Sequence, residues 1–218
     1  LNDDIVNPFE VRIDFYSSNT NISIYETIAR AILTTGNNRV LTFHADVETG
    51  RDTSVNVFAD SQLFTECFRR IARDEFPDSL GDYADIQMVA LSAKHTKTER
   101  CTILDALDNT PDKKGVYIIS SCETIGEGID TKKANMCVFV DPKTSYKKII
   151  QNIGRIVRKI LGMETPHSTV LLPCWVDKDK YIGCTTTEER DLVIREDISK
   201  TGNFNGILNV MSALKQES

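Results

Sequence analysis

The residue types and spacing best suited to chemistry lie in the last third of the chain, between Ser145 and Leu161. At helical periodicity the isoleucines of this stretch share one side. Gln151, Arg155 and Arg158 share the other side, because they are spaced by four and then three residues. An arginine presents a fixed fork of hydrogen-bond donors and cannot lose its charge. Two guanidinium groups beside an amide therefore suit a polyphosphate, although a basic helix face that only contacts water has the same spacing.

A glycine lies within this polar face. In the middle of a helix, glycine costs about 1 kcal/mol relative to alanine, and a helix that contains one usually lets another group approach closely there. We therefore predict one helix from Ser145 to Leu161, with a ligand close to Gly154 and to the two arginines.

A second candidate site follows the apolar run Val116–Ser120. The next residues read Ser121-Cys-Glu-Thr-Ile-Gly-Glu-Gly-Ile-Asp130, with two glycines separated by one residue and followed by an acid. This composition is typical of a loop whose backbone approaches a ligand. Its hydroxyl groups can bond phosphate oxygens, and Asp130 can accept hydrogen bonds from a ribose. An ordinary tight turn contains the same glycines, so both interpretations stay open for the loop taken alone.

Length and composition limit the class of protein. The chain has 218 residues, 40% hydrophobic and 27% charged, which suffices for one domain with a core and short additions. A net charge of −6 excludes a globally basic, free-standing nucleic-acid binder, so any nucleic-acid contact must be a local patch. The six cysteines form no Cys-x-x-Cys pair, and we interpret them as reduced core residues without a metal site. We expect an intracellular protein, cytoplasmic or nuclear, that is not secreted and does not use a membrane.

Short apolar runs alternate with amphipathic runs along most of the chain. This alternation predicts an α/β domain with a RecA-like parallel sheet flanked by helices, whose ligand loops follow the carboxyl ends of the strands. The predicted strands are residues 9–15, 39–44, 86–91, 116–120, 136–140 and 168–176.

Two capping boxes, Ser23–Glu26 and Thr96–Glu99, predict helix starts. We expect residues 1–20 to be a linker, 21–176 the main domain, and 177–218 a helical extension. The acids expected on the outer face of this extension are Glu188, Glu189, Asp191, Glu196 and Asp197.

Four stretches together resemble the motifs of superfamily 2 helicases of the DExH type. The loop ending Glu127-Gly-Ile-Asp130 resembles motif V, and Gln151-Asn-Ile-Gly-Arg-Ile-Val-Arg158 resembles motif VI, Gln-x-x-Gly-Arg-x-x-Arg. Residues 40–45 resemble motif IV, and residues 91–100 resemble the segment between motifs IV and V. The run at 170–177 is similar to C-terminal parts of helicases from large DNA viruses and restriction-like systems, which favours DNA over RNA.

The resemblance implies the C-terminal RecA-like domain of a nucleic-acid helicase or translocase. In that family ATP, with Mg²⁺, binds between this domain and an N-terminal RecA-like domain of the same chain. By motif match, Arg155 and Arg158 would be arginine fingers and Gln151 would help to place the nucleotide. The family often has Thr where this chain has Cys122, and a thiol is a weak donor. The other matched residues are Gly126, Gly128 and Asp130 for the nucleotide, and Ser92, Lys94, Ser121, Cys122 and Thr124 for the nucleic acid.

Parts of a complete motor are missing from these residues. No Gly-Lys pair occurs, so there is no phosphate-binding Gly-x-x-x-x-Gly-Lys loop, and no acidic motif is present to hold magnesium. We therefore expect a piece of a longer chain that is inactive by itself. The alternative is a catalytically silent RecA-like scaffold that binds a protein partner. An unrelated nucleotide-binding α/β domain is disfavoured, because no glycine-rich turn follows the first core strand.

Overall fold

The computed structural model describes residues 8–17, 20–44, 58–79, 81–92, 94–112, 114–121, 131–141, 146–157 and 167–201. Within these residues six strands form one sheet in the order β1-β6-β5-β2-β4-β3, and every neighbouring pair is parallel. The strands are β1 Phe9–Tyr16, β2 Arg39–Phe43, β3 Asp85–Leu91, β4 Gly115–Ser121, β5 Met136–Phe139 and β6 Ser168–Trp175. The predicted RecA-like α/β fold is confirmed.

Six helices connect and extend this sheet in the described residues. Their bounds are α1 Asn21–Thr35, α2 Ser61–Glu75, α3 Lys97–Asp108, α4 Tyr146–Gly154, α5 Lys178–Gly183 and α6 Thr187–Thr201. A short 3-10 turn, Pro77–Ser79, follows α2.

The two faces of the sheet carry separate apolar layers. Alternation along β2 shows this directly, because Val40 packs with α1 and α2 whereas its neighbour Leu41 packs with α3 and α4. Both residues are fully buried. A sheet covered on both faces explains why the central strands read as continuous apolar runs.

One of the two predicted capping boxes is present. The capping box of α3 is present, with Thr96 and Glu99 bonded reciprocally, and α1 ends at Gly36, whose φ of 76° favours glycine. The predicted box at Ser23–Glu26 is wrong. Thr20 is the N-cap and accepts the Ser23 N–H at 3.3 Å, while the Glu26 carboxylate instead bonds Arg70 of α2.

β1 lies inside the stretch that the sequence assigned to a linker. It pairs with β6 along its whole length, from Phe9 opposite Ser168 to Tyr16 opposite Trp175, and so forms one edge of the sheet. The first half of its apolar face packs into the α3 and α4 layer through Phe9, but Phe15 at the other end is 46% exposed.

The helical extension begins with a turn that the sequence did not predict. Asp177 caps α5 by accepting the N–H groups of Asp179 and Lys180. The expectation for Asp197 is wrong: its side chain is 1% exposed and accepts the Asp177 N–H at 2.8 Å, so it ties α6 to the end of β6. The other four acids are exposed as expected. In the described residues, no helix combines the length and apolar character needed to cross a membrane.

Candidate functional site

The polar helix of the sequence is shorter than predicted. α4 ends at Gly154, and the next residues form a tight turn in which Arg155 N–H reaches Asn152 O at 3.4 Å and Ile156 N–H reaches Ile153 O at 2.9 Å. The predicted continuation to Leu161 is therefore wrong from residue 155 to 157. Gly154 is the last helical residue and not a central one, and a Cβ there would meet open space within 4 Å. The free-energy cost expected for a glycine in the middle of a helix therefore does not apply to Gly154.

The apolar side of α4 fixes the position of Arg155. Ile149 and Ile153 are fully buried, and Ile156 is 2% exposed, so buried residues flank Arg155 on both sides along the chain. The Ser168 hydroxyl donates to Ile156 O at 2.5 Å, which ties the turn to the start of β6. The backbone of Arg155 is thereby held rigidly by the core, while the side chain is partly buried at the surface.

Gln151 lies one turn before Arg155 on α4, and its side chain is exposed. Because Arg155 lies in the turn after α4, the helical spacing that predicted one shared face for the amide and the guanidinium does not apply, and their joint role stays a prediction. Arg158 lies outside the described residues, so the pairing of the two arginines is not tested by the geometry.

The glycine-rich loop starts where β4 ends. Ser121 is the last residue of β4, and its neighbours across the sheet are Phe43 and Leu91. Its side chain is 1% exposed, and among the described residues its hydroxyl has no hydrogen-bond partner. A buried hydroxyl of this kind is uncommon. The remaining loop residues of the prediction, Cys122, Thr124, Gly126, Gly128 and Asp130, lie outside the described residues.

A buried histidine that the sequence analysis missed joins the ends of β2 and β4. The Nε2 atom of His44 lies 3.0 Å from the Thr42 hydroxyl and 3.1 Å from the Ser120 hydroxyl, and its backbone N–H donates to Ser121 O at 3.0 Å. Its ring packs against Phe58 with a centroid separation of 4.5 Å. The position of His44 at the end of an otherwise apolar strand is the feature of the sequence that could have indicated its burial.

The turn after β3 carries the other predicted nucleic-acid residues. Ser92 N–H donates to Nδ1 of His95 at 3.1 Å, and His95 N–H donates back to Ser92 O at 3.3 Å. Because Nδ1 accepts a proton donor, the neutral ring carries its own proton on Nε2. Lys94 is exposed between them. The turn therefore presents an ammonium group at the same edge of the sheet as Ser121.

Gln151 and Arg155 supply hydrogen-bond donors near the end of α4. A guanidinium and an amide at the end of α4 are the groups that recognise phosphate oxygens. Within the described residues there is no cluster of three or more His, Cys, Asp or Glu side chains that could hold a metal ion.

Comparison with known proteins decides the family. A family model described as "Helicase conserved C-terminal domain" matches residues 23–159, more than half of the chain. The chain belongs to this family of helicase C-terminal domains. The resemblance drawn from the motifs is thus confirmed. The match spans α1 to α4 and ends just after the two motif VI arginines.

Relatives of this helicase domain include viral proteins. It is 30% identical over 98 residues to the probable helicase A859L of African swine fever virus, isolate Pig/Kenya/KEN-50/1950, covering 45% of this chain and 11% of that protein. It is 29% identical over 99 residues to the same protein of strain Badajoz 1971 Vero-adapted, covering 44% of this chain and 11% of the relative.

A solved structure shares the fold across nearly the whole domain. The ATP-dependent Type ISP restriction-modification enzyme LlaBIII bound to DNA matches with a TM-score of 0.59 and 17% identity, covering 96% of this chain and 14% of that chain. The helicase domain therefore spans only a small part of the proteins that it resembles.

Proposed function

We propose that this chain is the second motor domain of an ATP-dependent nucleic-acid helicase or translocase. Arg155 and Arg158 would act as arginine fingers on a triphosphate held by an N-terminal RecA-like domain, and Gln151 would help to place it. The observation that carries the proposal is the anchoring of Arg155, whose turn is fixed by the buried residues Ile153 and Ile156. A finger must be held in place before the reaction, because reorganisation at that moment would cost rate.

The role of the arginines follows from the charge of phosphoryl transfer. ATP supplies the phosphoryl group, and its Mg²⁺ would be held mainly by the other domain. A guanidinium at the γ-phosphate stabilises the charge on the equatorial oxygens and is worth about 10³–10⁵ in rate in enzymes that use one. Gly126, Gly128 and Asp130 would line the nucleotide cleft, with Asp130 close to the ribose.

The nucleic-acid track would follow the carboxyl ends of β3 and β4. Ser92 and Lys94 follow the end of β3, and Ser121 ends the neighbouring strand β4; Cys122 and Thr124 come next in the chain and would continue the track. Side chains of this kind contact phosphates and fix position without reading sequence. DNA is favoured over RNA, because one solved structure that matches 96% of this chain is that of an enzyme bound to DNA.

The test uses the full-length protein and the variants Arg155→Ala and Arg155→Lys. We expect ATP turnover to fall by about 10³-fold or more in both, because an ammonium cannot reproduce the planar fork. Nucleic-acid affinity should stay within about twofold, since Arg155 contacts phosphate of the nucleotide only. Turnover is measured by phosphate release, and affinity by fluorescence anisotropy.

Arg73→Ala is the matched control, because Arg73 is an exposed arginine of α2 that pairs only with the adjacent Asp74 among the described residues. Its turnover should equal that of wild type. Wild-type turnover in both Arg155 variants would refute the finger role. A full-length protein without any turnover would favour the silent scaffold.

A further inference from the structure

A cleft of about 320 Å³ lies at the carboxyl ends of β1 and β6, away from the residues assigned to the nucleotide. Phe15 and Tyr16 of β1 form one wall, and Tyr181 of α5 contributes to the other. The first turns of α1 form the floor, with Ser23 and Glu26. Three aromatic side chains thus line one opening, at the carboxyl ends of the strands where the predicted track also lies.

Two of these aromatic residues expose much of their apolar surface to water, which is unfavourable. Phe15 is 46% exposed and Tyr181 is 38% exposed. Large apolar side chains grouped at one opening are typical of a binding site, whereas single exposed ones are ordinary. The grouping in one cleft indicates a ligand with a flat, stackable surface.

The charges around the cleft favour an anionic ligand. Lys178 lines it, and among the described residues no ion pair engages its ammonium group. The guanidinium of Arg190 lies 5.7 Å from the centre of the Tyr181 ring, a cation placed on one face of that ring. The acid in the cleft, Glu26, is compensated because it bonds Arg70. Two cations, Lys178 in the cleft lining and Arg190 at the Tyr181 ring, are therefore placed to meet an anionic ligand.

We propose that this cleft is a base-binding site for single-stranded nucleic acid, in which bases stack on Phe15 and Tyr181 while Lys178 and Arg190 meet the backbone. Exposed aromatic rings alternating with cations are the features that bind single strands without sequence preference. The proposal rests on the proposed function, in that the ligand is nucleic acid.

The site is separate from the phosphate contacts of that function. The strand order puts β1 and β3 at opposite edges of the sheet, five strand spacings or about 24 Å apart. A single-stranded nucleic acid that contacts Lys94 after β3 and also reaches the cleft would therefore cross the full width of the sheet.

The experiment measures how much the bases contribute to binding by the full-length protein. One fluorescein-labelled strand is oligo-dT, and the other has the same backbone with abasic residues; an oligo-rU arm tests RNA. Wild type should bind oligo-dT about five- to tenfold more tightly than the abasic strand. Phe15→Ala and Tyr181→Ala should lose most of that preference, and Tyr181→Phe should keep it because the ring remains.

Ile182→Ala is the matched control, since Ile182 is 66% exposed on the same helix and does not line the cleft. It should keep the full preference. Because Phe15→Ala alters an edge strand, a second measurement uses unaltered protein: strands containing 5-iodouracil should cross-link on irradiation to peptides containing Phe15 or Tyr181.

Each outcome decides between the two proposals. Alanine variants that keep the wild-type preference, or cross-links that avoid both peptides, overturn the base site alone when wild type still binds both strands. Failure of wild type to bind any strand overturns the base site and the nucleic-acid role together. Equal preference in the dT and rU arms supports the site and indicates that it does not distinguish the two sugars.

Discussion

The cysteine side chains differ in how far the fold shields their sulfur atoms. Cys137 and Cys174 are buried in strands of the α3 and α4 layer, and Cys67 is buried on the core side of α2. Burial raises the pKa of the Cys174 thiol to about 12, with a further contribution from the charge of Asp14, and burial also raises the pKa of the Cys137 thiol. Cys101 on α3 is exposed.

This difference predicts selective modification by a thiol reagent. At pH 8 the folded protein should react at Cys101, while Cys67, Cys137 and Cys174 stay unmodified, because a thiolate is the reactive form and burial disfavours it. All four should react in denaturant. Mass spectrometry of alkylated peptides reads out each site. Rapid native labelling of Cys137 would show that the central strands are open to solvent.

Single residues also explain which parts of the site could be found from sequence. Arg155, Gln151 and Lys94 stand out because their types and spacing are unusual, and the structure places all three at the surface or partly buried at it. His44 was missed because its role comes from Ser120, far away in sequence, through a bond that only the pairing of β2 and β4 creates. Spacing along one chain cannot show such a contact.

At the scale of elements, the sequence pattern predicted strands and helix ends correctly where the pattern was strong. It was wrong where a residue distant in sequence forms the bond instead. Apolar runs predicted β2 to β6, because a strand covered on both faces needs an apolar side chain at nearly every position, and alternation of apolar and polar residues predicted β1. The α1 cap was misplaced because Glu26, free to cap in an isolated helix, instead bonds Arg70 across to α2. α4 stops at Gly154 although the apolar pattern continues through Ile156 and Val157, and the Ser168 hydroxyl, distant in sequence, bonds Ile156 O in the turn that follows.

The contact between α1 and α2 supplies an element-scale prediction about pH. The Arg30 guanidinium donates to both carboxylate oxygens of Glu75, at 2.8–3.0 Å, and this holds the pKa of Glu75 below its usual value. A carboxyl whose pKa is lower in the folded state adds stability above its unfolded pKa, and loses it as pH falls through the folded pKa. The pair should therefore stabilise the protein at neutral pH and cease to do so in acid.

Arg30→Met tests this. At pH 7 the variant should be less stable by up to about 1 kcal/mol, the usual range for a surface pair, which corresponds to a melting temperature lower by about 2–4 °C. The difference should shrink steadily below pH 4.5, the ordinary pKa of the Glu75 carboxyl. Arg69→Met on α2 is the control, because Arg69 makes no ion pair with any other residue that the structure describes. A stability difference between the variant and wild type that stays unchanged in acid would show that the packing of the Arg30 methylene groups, and not the ion pair, provides the stabilisation.

At the scale of the whole molecule, the sheet couples two apolar layers through shared strands. Ile118 and Ile119 are adjacent on β4 and both fully buried, yet Ile118 belongs to the α1 and α2 layer and Ile119 to the α3 and α4 layer. Unfolding of β4 would therefore remove packing contacts from both layers at once. The fold should therefore melt as one cooperative unit when the chain is produced by itself.

Two substitutions that shorten a buried side chain test whether the two layers unfold together. Ile118→Ala and Ile119→Ala should each cost about 2–5 kcal/mol, because a fully buried isoleucine leaves a cavity when it is shortened. In both variants far-ultraviolet circular dichroism and fluorescence of the single tryptophan, Trp175 at the end of β6, should report the same midpoint. The tryptophan is far from β4 in the strand order, so it follows the loss of either layer only if the sheet unfolds as a whole. Separate midpoints for the two signals would mean that β1 and β6 unfold independently of the central strands, and the domain would then need its neighbour in the longer chain to be stable.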